Sequence, residues 1–213
     1  MDVLFLPVAR SPHVRRTGVS RARGSTCAGR SGIAGGMSAI ELLRTRTAAA
    51  HEAVDGAFGA FTLHSAPEYR RLLTAHAMAL PVAELAAARV WPDLRTRVPL
   101  LTADLLALGG DMSAVPQEDT SLDAPASWGA LYVVEGSRLG GGILATRIGE
   151  GLPRAYLSAV HRPGEWRAIR AAIDAAANGQ DAAWHAAMIA GALRMFALYA
   201  ASAEAVMQGA RTA

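Results

Sequence analysis

The chain contains no lysine; all 21 of its basic side chains are arginine, a usage that reflects base composition and has no mechanistic weight. It has one cysteine, Cys27. From residue 37 onward there is thus no disulfide, no thiolate nucleophile and no cysteine metal site, a pattern that suits a reducing compartment. β-Branched residues are sparse after residue 36, and no segment alternates convincingly as a strand. No apolar run is expected to reach the roughly 18–20 residues of a membrane span. No Glu-x-x-His or Asp-x-x-His pair occurs, which removes the paired ligands that di-metal helical bundles use.

The net charge of +3 is unevenly spread. Residues 1–36 hold six arginines and one acid, which leaves fifteen arginines and seventeen acids for residues 37–213. The larger part is therefore nearly neutral, and nothing in it resembles a nucleic-acid footprint. Residues 1–36 are rich in Arg, Ser and Gly and lack lasting periodicity. A transit-like segment and a twin-arginine signal at Arg15-Arg16 are possible readings, although no apolar region follows those arginines. The plainest reading is a disordered or non-native extension ahead of Met37. Residues 37–213 then form one domain.

Alanine and leucine are abundant, which favours helices. Ser38-Ala-Ile-Glu41 fits a capping box. The helix that it opens should run to about Ala57, with Ile40, Leu43, Thr47, Ala50, His51, Val54 and Phe58 on its inner stripe. Ser65-Ala-Pro-Glu68 predicts a second start, with a helix to about Arg89. A shorter helix is expected over Val98–Leu108, then a polar loop over residues 111–123. Further helices are expected from about Ala124 to Glu150, from near Pro163 to Asn178-Gly179, and from Asp181 to about Gln208. The expectation is an all-α single domain of about six helices.

The fourth of these helices contains GALYVVEGSRLGGGIL at residues 129–144. Gly136, Gly140, Gly141 and Gly142 interrupt an otherwise apolar helical pattern. Each costs roughly 1 kcal/mol against alanine, so a reason for bare backbone is required. No Lys-Ser/Thr follows, which excludes a P-loop, and no strand precedes, which excludes a dinucleotide fingerprint. Gly136 and Gly140 share a side of the helix. They would permit either a close helix–helix contact or close approach to a flat ligand. On the first helix, a lone histidine such as His51 is most often a core residue. Arg44, however, stands seven residues earlier, about 10 Å up the same side. A planar metallocycle held by its iron at His51 would reach Arg44 with an anionic edge group.

Together the two segments resemble the haem oxygenase family. Leu43, Arg44, Thr47 and His51 match the family's first-helix pattern Leu-Arg-x-x-Thr-x-x-x-His. Leu131, Tyr132, Glu135, Gly136, Ser137, Leu139, Gly140 and Gly141 match the distal helix of its bacterial members. Glu68-Tyr69-Arg70-Arg71-Leu72-Leu73 is similar to the second helix, so the resemblance spans roughly residues 38–205. It implies His51 as the proximal ligand of haem iron. It implies Gly136 and Gly140, with Gly141, as a kinked distal wall where O₂ binds. Arg44 would pair with a propionate. Arg194 is a further propionate candidate, although a solvated helix face is the plainer reading. Tyr132 would lie at the haem edge or in the core. Mammalian-type members carry an aspartate after the first distal glycine, which organises a water network. Ser137 stands there in this chain, so proton delivery would use Ser137, backbone groups and water.

The implied reaction uses haem as substrate and cofactor. O₂ and an external reductant open the ring to biliverdin and release CO and Fe²⁺. A ferredoxin or a flavoprotein reductase is the implied electron donor, with neither nucleic acid nor membrane as partner and a cytoplasmic setting. A haem carrier or sensor without turnover would keep the same residues. A thiamin-degrading relative would need a cysteine nucleophile, absent from residues 37–213. A helical interaction module would not take up haem.

Overall fold

A computed structural model describes residues 37–112 and 122–212. Residues 1–36, read above as an extension, and most of the loop at 111–123 lie outside the described residues. The described residues form α1 (Ala39–Phe58), α2 (Ala66–Ala88), α3 (Val98–Ala107), α4 (Ala124–Ala145), α5 (Glu165–Ala177) and α6 (Ala182–Thr212), with no strand among them. The all-α, six-helix expectation holds.

The starts of the helices follow from local chemistry. The capping box of α1 is present: Glu41 N–H donates to Ser38 Oγ at 3.2 Å, and Ser38 N–H to Glu41 Oε2 at 3.1 Å. Asp123 caps α4 by accepting from Ala126 N–H at 2.9 Å. At α2 the expected helix start holds, without a capping box. Ser65 makes no side-chain cap bond, and Glu68 turns instead to Arg71, 2.6 Å away. Pro67 still fixes the first turn.

Two ends differ from expectation. α4 stops at Ala145, a turn before Glu150. The chain is drawn out of the helix at Gly149, whose N–H donates to Leu63 O at 2.9 Å. A Cβ there would sit 2.7 Å from the His64 carbonyl oxygen. α6 runs past Gln208 to Thr212, reaching 31 residues.

α6 is the axis of the bundle, with α1, α2 and α4 all packed along it. Met188, Ala192, Met195, Phe196, Tyr199 and Ala203 are buried on it at helical spacing. An 18-residue stretch within Ala182–Gly209 has a mean hydropathy of 1.4, long and apolar enough to cross a membrane by composition. This corrects the reading from uninterrupted runs, because Arg194 and Glu204 break the run without lowering the average enough. Half of that stretch is buried inside the protein, as a central core helix requires.

α4 meets α6 through backbone. A Cβ on Gly129 would stand 2.0 Å from Met188 O, and one on Gly191 would stand 2.1 Å from Ala126 O. Close helix contact, one of the two readings offered for Gly136 and Gly140, is made on this face by Gly129 and Gly191. α1 and α4 are not packed closely on each other; each lies on α6 and on α5.

Candidate functional site

His51 sits on the α6-facing side of α1, its side chain 22% exposed. Its ring meets Phe196 of α6 edge-on, with centroids 5.9 Å apart. One turn on, the buried Asp55 places Oδ2 3.2 Å from His51 Nδ1. A carboxylate at Nδ1 fixes the tautomer and ring orientation and raises the basicity of Nε2. Nε2 is itself buried. This donor set fits a single axial imidazole ligand to a metallocycle's iron. Among the described residues no group of three or more His, Cys, Asp or Glu could hold a metal ion by itself.

Gly136, Ser137, Gly140 and Gly141 are all buried on α4. The helix is continuous through them. At 100° per residue, Gly129, Gly136 and Gly140 fall on one stripe. Gly141 lies off it and turns to the following loop, where a Cβ would be 3.1 Å from Leu157 O. A cavity is lined by Phe58 at the end of α1, Leu72 of α2, Leu144 of α4 and Arg147 beyond it. α1 and α4 thus border a common space at their C-terminal ends.

Tyr132 is buried and faces Trp166 of α5, ring centroids 6.5 Å apart, which makes it a packing residue of the α4–α5 side. Arg44 and Arg194 are exposed on α1 and α6.

Sequence reasoning missed two charged groups around α4. The first is held by Glu135, whose carboxylate takes Arg138 Nε at 2.9 Å and His161 Nε2 at 2.8 Å. Burial pushes Glu135 up, but His161 and Arg138 outweigh it and hold the carboxyl below its usual value. Arg138 also donates to Ala159 O at 3.1 Å and to Arg95 O, while His161 stacks on Trp166 at 5.5 Å. The Glu-Gly-Ser motif therefore clamps the 151–164 loop to α4. The second group joins Arg97 and Glu84 to Ser137. Arg97 Nη2 donates to Ser137 Oγ at 2.8 Å and to Val134 O at 2.9 Å. Arg97 also lies 5.6 Å over the Tyr156 ring, and the Tyr156 hydroxyl bonds His76 Nδ1 at 2.8 Å. Burial, then the Arg97 charge, drives His76 down to about 3. The only sequence signals for these groups were the motif positions of Glu135 and Ser137.

No family model matches the chain. The structure is similar to the NO- and CO-bound haem oxygenase from Neisseria meningitidis, with a TM-score of 0.68 and 23% identity, over 80% of this chain and 92% of that one. The chain has the haem oxygenase fold. In sequence it is similar to a haem oxygenase from Xanthomonas campestris pv. campestris (strain 8004), 40% identical over 109 residues. That match covers 48% of this chain and 64% of the relative, so the chain spans a little under two thirds of the curated relative's length. The haem oxygenase fold and the bacterial sequence likeness agree with the motifs on α1 and α4.

Proposed function

We propose that this protein is a haem oxygenase that opens haem to biliverdin with O₂ and electrons from an external donor, releasing CO and Fe²⁺. The observation that carries the reading is the His51–Asp55 pair, a polarised imidazole on α1 of the haem oxygenase fold. Bound haem is substrate and cofactor at once, supplying the iron that activates O₂ and the meso carbon that is oxidised. His51 Nε2 would hold the haem iron, with Asp55 orienting the imidazole. Gly136 and Gly140 would wall the opposite side of the haem and place no acid–base side chain there. Gly141 belongs to this wall through its packing on the loop. Arg44 and Arg194, both exposed cations, pair with propionates at the solvent edge. Tyr132 braces α4 against α5 near the haem edge. Electrons come from a ferredoxin or a flavoprotein reductase, and the setting is cytoplasmic.

Hemin titration followed by the Soret band tests binding. Ascorbate or a reductase under air should then remove that band and raise the broad red band of a bilin. A bound hemin that survives this treatment would make the protein a carrier. His51→Ala should greatly weaken binding, and an unchanged Soret spectrum in that variant would refute the ligand assignment.

A further inference from the structure

We propose that Arg97, in the segment between α2 and α3, positions the Ser137 hydroxyl so that its proton points into α4 and only a lone pair faces the distal space. The proposal rests on α4 being the distal wall of the proposed haem site.

Arg97 is 2% exposed and Glu84 is 4% exposed. A buried guanidinium is stable only when paired and hydrogen-bonded. Glu84 provides the charge, with its Oε1 3.6 Å from Arg97 Nε, too far for a hydrogen bond. The Glu84 oxygens are occupied instead by Arg97 N–H, at 2.9 and 3.1 Å, and by the Thr96 hydroxyl. Glu84 thereby fixes the backbone of residues 96 and 97, and the Arg97 guanidinium is extended onto α4.

A guanidinium has donors only, and a hydroxyl has one proton and two lone pairs. Ser137 Oγ must therefore accept from Arg97 Nη2. Its own proton needs another acceptor, and Val134 O lies 2.7 Å away. Arg97 Nη2 reaches that same carbonyl. The three atoms form a closed triangle in which the direction of the hydroxyl is set by the donor-only chemistry of arginine. What remains on Ser137 is one lone pair. A carboxylate at this position would likewise only accept, so Arg97 gives a neutral serine the acceptor role of an aspartate. Ser137 lies about 60° around the helix from Gly140 and 100° from Gly136, beside the bare stripe, where it can receive a hydrogen bond from water but give none.

The test is a two-by-two comparison read in the infrared C–O stretch of the CO adduct of the ferrous haem-loaded protein. A hydrogen bond donated to bound CO lowers that stretch. Ser137→Ala should leave it unshifted in the wild-type background. It should shift it upward in Arg97→Met/Glu84→Gln, where the hydroxyl is free to turn. Removing both charges together avoids stranding Glu84, and Arg97→Lys is the alternative background if the double variant does not fold. An upward shift in the wild-type background, or silence in both backgrounds, overturns the proposal. The haem-free protein gives a second reading that survives failure of the haem assignment. Ser137→Ala should move the Arg97 Nη proton signals in its NMR spectrum, and unmoved signals would show that Arg97 does not hold Ser137.

Discussion

An imidazole held at one nitrogen by a carboxylate is a better ligand at the other, and removal of such a partner typically costs about 10- to 100-fold in metal affinity or activity. At His51 the partner is Asp55, at 3.2 Å. Asp55→Ala should therefore weaken hemin binding by about that factor while leaving the Soret band characteristic of an axial histidine; Soret titration of the two proteins checks it. Asp55 was legible in principle, since it stands four residues after His51 on the same helix face, and an i, i+4 carboxylate is a local signal. Arg97 was not. It contacts Ser137 across 40 residues of sequence, and no local spacing announces a partner at that range.

At the scale of elements, the helices were readable because caps, prolines and glycines punctuate them, and the misreadings share a cause. Where α4 ends depends on a tertiary bond, Gly149 to Leu63, and no helix-stop signal specific to Ala145 precedes it. The glycines divide by role in a way that sequence could not show. Gly129 and Gly191 admit a neighbouring backbone; Gly141 tolerates more room. Gly129→Ala should destabilise the protein by about 1–3 kcal/mol or more through overpacking, whereas Gly141→Ala, with 3.1 Å to its nearest atom, should cost less. Thermal or urea denaturation of the two variants ranks them. Glu135, quoted as a motif residue, proves to be a clamp. Glu135→Gln strands the buried Arg138, whose pKa burial already lowers, and should cost roughly 3–5 kcal/mol, the usual loss on breaking a buried pair from one side. Denaturant midpoints of Glu135→Gln against the parent check this.

The molecule as a whole answers to pH through its core. His76 is 4% exposed and remains neutral down to about pH 3, whereas in the unfolded chain it protonates near its ordinary value of about 6.5. The unfolded state therefore binds the extra proton between these limits. The stabilising contribution is complete above about pH 6.5 and is lost as pH falls toward 3, with a slope of at most about 1.4 kcal/mol per pH unit for this one group. Urea denaturation between about pH 4 and 7 should show the decline, and His76→Gln should flatten it. Around this core, α6 gives every larger helix its reference surface, though not in the same manner. At Gly129 and Gly191 main chain rests on main chain, which has no rotamers to exchange. His51 meets the same helix through the ring of Phe196, which can tilt. α4 is accordingly seated rigidly on α6, and α1 compliantly. In the proposed haem oxygenase, a bulky, altered product would leave by displacing the histidine side, and the glycine side would keep its geometry.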